Sequence, residues 1–158
     1  MNKYRERILS IAKETGARLV LPETHDKRIQ IARQELTSME FQVLNHEDFT
    51  EKIALYADYL RNQPFSDNWP EENLMEYLND PLHFSMAMVA CDDADGVIAG
   101  ADTASSEVIR TAIRIVGILP ASNWVSSIFF LISPEGDLAY TFADCAVIPD
   151  PNSQQLAV

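Results

Sequence analysis

Arg110 is the side chain best placed to do chemistry here. It follows Ser105 and Ser106 at the opening of an apolar-periodic segment, shortly after Gly100 closes a strand-like run. Free backbone N–H groups and the dipole at such a helix start favour anions, and a planar guanidinium adds paired donors that match phosphate. The plainer reading pairs Arg110 with Glu107 three residues earlier and makes Ser105 and Ser106 helix N-caps; capping and phosphate contact can coexist. Only Lys52, Arg61, Arg110 and Arg114 carry positive charge after residue 33. Arg61, after the helical segment 49–61, is a second phosphate-binding candidate, or a base complementing a helix C-terminus. Arg114 is expected to face solvent. Asp102 places a negative charge beside the opening. The expected substrate- or phosphate-binding set is therefore Arg110, Ser105, Ser106 and Arg61, with no catalytic residue assigned within the chain.

Other chemistries lack their residues. His25, His46 and His83 have no metal-site spacing, and Cys91 and Cys145 are too few for a zinc site or a disulfide framework. No metal and no bound cofactor are expected. There is no glycine-rich phosphate loop. Ser126 and Ser127 interrupt an apolar run and are expected as satisfied core serines. The net charge of −12 is uneven, +4 over residues 1–33 and −16 over 34–158. Such an acidic chain is a poor partner for nucleic acid. No run of eighteen uncharged apolar residues occurs, and the charged N-terminus has no apolar core of a secretory signal. A cytoplasmic protein is expected, with no membrane partner.

Alternating signals define the elements that must hold these residues. Tyr4, Ile8, Ile11 and Ala12 predict a helix over 3–15, ended by Gly16. Residues 17–21 read as a strand stopped by Pro22, and Asp26 caps a helix carrying Ile29, Ile31, Ala32 and Leu36. A strand over 41–44 leads to the 49–61 helix. Pro70 and Asp80-Pro81 mark two further helix starts, with Pro70 at the first helical position. Met75, Met86 and Met88 are core filling. Residues 95–100 read as a strand, and 106–117 as a helix with Val108, Ile109, Ala112, Ile113 and Val116 inward. The apolar run 125–132 is expected to be a buried central strand; the turn 133–137 joins it in a hairpin to 138–143. Residues 152–158 look like a helix start, so the pattern is expected to continue in a longer protein. Strands alternating with helices predict an α/β sandwich with a largely parallel sheet, one domain over 1–158.

Four stretches in register carry a resemblance. They are Leu19-Val20-Leu21-Pro22-Glu23 with Asp26 and Arg28; residues 95–101 with Ser105–Arg110 and Arg114–Gly117; Val125–Leu131; and Phe142–Pro151 with Gln155-Leu156-Ala157. Together they resemble the phosphate acetyltransferase and butyryltransferase (phosphotransacetylase) family, over its N-terminal portion. The resemblance implies an open three-layer fold of the isocitrate/isopropylmalate dehydrogenase-like type, first domain, with a cleft between two domains. There coenzyme A thiolate attacks an acyl phosphate directly. Arg110 occupies the family's arginine position, and Arg61 is similar to another cleft-facing arginine. The family's serine, arginine and aspartate that stabilise the transition state lie in a C-terminal segment this chain does not include. It implies coenzyme A, acyl phosphate and phosphate as substrates and a homodimer. Asp144 and Asp150 flank a stretch that leads toward the second domain, a structural hinge. The expectation is an acyltransferase half, inactive by itself; the alternatives are a non-catalytic assembly or regulatory module, and a domain like those appended to some malic enzymes.

Overall fold

In the computed structural model, residues 3–120, 122–144 and 147–156 are described; Cys145, Ala146 and Ala157, quoted above for the resemblance, and Val158, at the end of the expected helix start, lie outside that set. The chain divides into two compact units, Gly16–Gly117 and Met1–Thr15 with Ile118–Val158.

The Gly16–Gly117 unit is α/β. Its sheet has three parallel strands in the order β2-β1-β3, from β1 (Arg18–Val20), β2 (Gln42–Leu44) and β3 (Gly96–Val97). The crossover from β1 to β2 is α2 (Lys27–Ser38), which starts where Asp26 accepts a hydrogen bond from the Arg28 amide at 2.7 Å. The chain then returns past β1 through α3 (Ile53–Arg61), α4 (Glu71–Leu78) and α5 (Pro81–Ala90) before reaching β3. Arg18 ties the two strands at their start: its amide, Nε and Nη2 all donate to the Asp95 carboxylate at 2.7–3.0 Å. α6 (Ser105–Ile115) follows β3.

Apolar spacing explains which faces are buried. Tyr56, Ala57 and Leu60 of α3, Leu74 and Leu78 of α4, and Leu82, Phe84, Met86, Ala87 and Met88 of α5 form one core with Val20, Ala94 and Ile115. Met75 packs against it. α5 is apolar all round and accordingly buried. Its start is set by Asp80, whose Oδ1 accepts from the amides of Leu82 and His83, with Pro81 at the first helical position.

Three expectations shift here. The helix over 49–61 begins as a 3-10 stretch, His46–Lys52, and becomes α-helical only at Ile53. Pro70 sits one residue before α4, at its N-cap position, so it presets the entry instead of filling the first turn. On α6 the inward stripe is Val108, Thr111, Ala112 and Ile115, while Ile113 and Val116 are exposed. The helix turns to bury the 3.6-period stripe that meets α5, and a polar threonine is accommodated in it.

The second unit contains α1 (Lys3–Thr15), an antiparallel pair β4 (Ile128–Ile132) and β5 (Ala139–Ala143), and the short α7 (Ser153–Leu156). Gly16, at φ +63°, ends α1 in a left-handed conformation that glycine adopts without strain. The hairpin is as expected, but β4 is not a buried central strand. Among the described residues it pairs with β5 alone, and Ile128, Phe129, Phe130, Leu131, Tyr140 and Phe142 are all exposed. An unbroken apolar run encodes a strand meant for cover on both faces, and a two-stranded ribbon by itself supplies none. At its base the Asp144 amide donates to the Ser127 carbonyl at 2.6 Å, so this aspartate closes the hairpin structurally.

Candidate functional site

In open parallel sheets, ligand crevices form at the carboxyl ends of strands where the strand order reverses. Here that point lies between β1 and β3: the chain leaves β1 toward β2 on one side and comes back to β3 on the other. The two loops that emerge are residues 21–26 and 98–104. The most buried link between them is one side chain, Glu23.

Glu23 is 4% exposed. Its Oε2 accepts from the amides of Gly100 (3.0 Å) and Ala101 (2.9 Å), and its Oε1 from those of Asp102 (2.9 Å) and Thr103 (2.7 Å). Four successive amides converge only because Gly100 adopts φ +108°, open to glycine alone in practice. Burial by itself would raise the carboxyl pKa, but the amides of Asp102, Ala101 and Thr103 outweigh it and hold the group at about 2. This anion-binding nest is therefore already filled by a carboxylate of the protein.

Around it, Arg28 donates to both Asp26 oxygens and to the Ala101 carbonyl, bracing the same loop from the other side. His25 Nε2 lies 3.0 Å from Asp102 Oδ2. The hydrogen bond to Asp102 raises the His25 pKa above its usual value, and in the protonated state the pair offsets the negative charge that Asp102 brings to the opening. A cavity of about 100 Å³ sits here, lined by Pro22, Glu23, His25, Asp80, Pro81, Leu82 and Thr103. It has room for a few water molecules. Coenzyme A does not fit it.

The sequence candidates fall into two groups. Ser105, Ser106 and Arg110 lie together on α6, and helical geometry puts Ser106 and Arg110, four residues apart, on the face opposite the buried stripe. All three are exposed. The serines do not cap α6. Ala104 occupies the N-cap position and no side chain caps the helix, so the amides of Ser105 and Ser106 are left without an intrahelical acceptor. One residue of shift in the helix start moves both hydroxyls into the first turn. Arg110 forms no hydrogen bond or ion pair among the described residues, with Glu107 included. Arg61 remains in the last turn of α3, paired with Asp58 at 2.8 Å and with Glu71, and no hydrogen bond links it to α6. Arg114 is exposed, as expected, with its charge close enough to bear on the Tyr77 hydroxyl.

Sequence reasoning did not assign Glu23 a role. A lone acid after a strand-stopping proline was the signal, but its partners are 77 to 80 residues away. Among the described residues, no three or more His, Cys, Asp or Glu side chains are grouped to hold a metal. No helix among the described residues is long and apolar enough to cross a membrane.

Residues 32–158 match the sequence family described as "Phosphate acetyl/butaryl transferase". The chain belongs to that family. Phosphate acetyltransferase from Staphylococcus aureus is 30% identical over 166 residues, covering 90% of this chain and 50% of the relative. The enzyme of the same name from Acetivibrio thermocellus is 28% identical over 181 residues, covering 98% and 54%. The chain thus spans about half the length of the curated relatives it matches. In fold it is similar to a phosphotransacetylase from Staphylococcus aureus, with TM-score 0.75 and 24% identity over 96% of this chain and 54% of that one. A phosphotransacetylase from Streptococcus pyogenes gives 0.65, at 24% identity, over 89% and 50%. Family members therefore share this mixed helix and parallel-sheet fold.

Proposed function

We propose that this chain supplies the phosphate-receiving part of a phosphate acetyltransferase-type site, serving acyl transfer between an acyl phosphate and coenzyme A. The observation that carries the reading is Arg110: an exposed guanidinium with no hydrogen-bond or ion-pair partner among the described residues, on the same helix face as Ser106, behind two amides without intrahelical acceptors. Phosphate oxygens would receive the Ser105 and Ser106 amides and the paired guanidinium donors. The filled nest beneath contributes rigidity to the α6 entry instead of a ligand contact. Residues 1–158 then correspond to the first domain of an isocitrate/isopropylmalate dehydrogenase-like fold. The thiol-activating group comes from outside this chain, and no residue here is given that role. Coenzyme A and phosphate are substrates, with no bound cofactor, and the setting is cytoplasmic.

Calorimetric titration of the 158-residue chain with coenzyme A tests this. Arg110→Ala is expected to weaken binding by about tenfold, the loss of one charge-assisted contact of about 1.4 kcal/mol. Arg61→Ala is expected to leave it within about twofold, because that guanidinium is already engaged. Unchanged binding in Arg110→Ala, or none in the parent chain, overturns the reading. The exposed apolar faces of β4 and β5 favour a second reading, an assembly module that pairs as a homodimer. Acetyl-CoA formation by the isolated chain would contradict a purely structural role.

A further inference from the structure

We propose that the junction of α4 and α5 carries a binding site for a small organic cation, a quaternary ammonium or protonated amine. A cavity of about 350 Å³ is lined there by Trp69, Asn73, Glu76, Tyr77, Asp80 and His83. That volume suits a small molecule. None of these residues belongs to the set assigned to phosphate.

The walls are aromatic and fixed. Trp69 and Tyr77 meet at 81° with ring centroids 5.5 Å apart, forming a corner, and Phe65 buttresses Trp69 edge-on at 5.8 Å. His83 stacks on Tyr77 at 3.8 Å and 14°, which fixes the orientation of the tyrosine ring. Indole and phenol faces attract cations through their quadrupoles, and tryptophan does so best.

The polar groups agree in sign. Glu76 and Asp80 line the cavity, and no lysine or arginine does. Arg114 and Glu107 reach toward Tyr77 from α6, and their opposite charges leave the balance with the carboxylates. Burial raises the Tyr77 hydroxyl pKa, keeping the ring neutral. His83 Nδ1 lies 2.9 Å from the Tyr77 carbonyl. That bond requires Nδ1 to carry the proton, which leaves Nε2 of the neutral ring as an acceptor for an N–H or O–H of the ligand. A metal ion is the weaker match, since the described residues contain no adequate ligand group. The charge of −16 over residues 34–158 would also concentrate organic cations near this surface.

The test is amide and indole NMR of the full chain titrated with choline, and with its neutral carbon isostere, in which a tert-butyl group replaces the trimethylammonium. Choline is expected to give saturable shifts at the Trp69 indole and at residues 73–83, about tenfold stronger than the isostere. Glu76→Gln, an exposed change that leaves folding intact, is expected to weaken choline about threefold, and Trp69→Ala to remove its shifts. Absence of saturable shifts, an equal response to the isostere, or unchanged choline binding in Glu76→Gln each overturns the proposal. These last two arms decide it even if Trp69→Ala does not fold.

Discussion

Replacing Glu23 by alanine is expected to lower stability by about 3 kcal/mol, a drop of roughly 10 °C in Tm for a chain of this size. The carboxylate accepts four amides within 3.0 Å, and its removal leaves them to whatever water can enter the small cavity beside it. Linkage gives a similar figure. The folded pKa is about 2 against an ordinary 4.5, and that gap corresponds to about 3 kcal/mol at neutral pH. The sign follows from the depression: the contribution is fully present above the unfolded value of 4.5 and is lost as pH falls toward about 2. Urea unfolding from pH 7 to pH 2 should therefore show a steep acid limb in the parent chain that flattens in Glu23→Ala. A variant within about 1 kcal/mol of the parent at neutral pH would mean that the nest does not need its carboxylate.

Leu60→Ala is expected to cost about 3 kcal/mol, within the range for emptying a packed core site. Leu60 is 0% exposed and sits among α3, α4 and α5, where no neighbour can fold inward without disturbing the others. Leu131→Ala makes the useful comparison. It removes the same atoms, but from a residue 53% exposed on β4, and should cost under about 1 kcal/mol. Denaturant midpoints for the two variants check both figures. Equal losses would mean that the hairpin is covered in solution, which would support the pairing reading of its apolar faces.

Local chemistry made much of this fold legible. Asp26 and Asp80-Pro81 announce helix starts that both form, because a cap satisfies amides within three residues of itself. Gly16 and Gly100 mark turns that need positive φ. Reading failed where the deciding partner was remote or the signal degenerate. An apolar run such as Ile128–Ile132 reports that burial is encoded, and says nothing about which segment supplies it. Ser105 and Ser106 looked like caps because serine prefers that position, yet the backbone enters α6 one residue earlier, at Ala104. The candidate site was half visible. Arg110 stood out as one of four late cations, whereas the nest between loops 21–26 and 98–104 arises from strand order, which residue spacing does not encode.

The central claim is a division of labour among neighbouring amides: those of residues 100–103 serve Glu23, while those of Ser105 and Ser106, with Arg110, remain open to an anion. Amide NMR of the chain titrated with inorganic phosphate tests it most directly. The account predicts saturable shifts at Ser105, Ser106 and the Arg110 guanidinium, with Gly100–Thr103 unmoved. Phosphate shifting Gly100–Thr103 instead, with Glu23 displaced, or leaving Ser105 and Ser106 untouched, would contradict it.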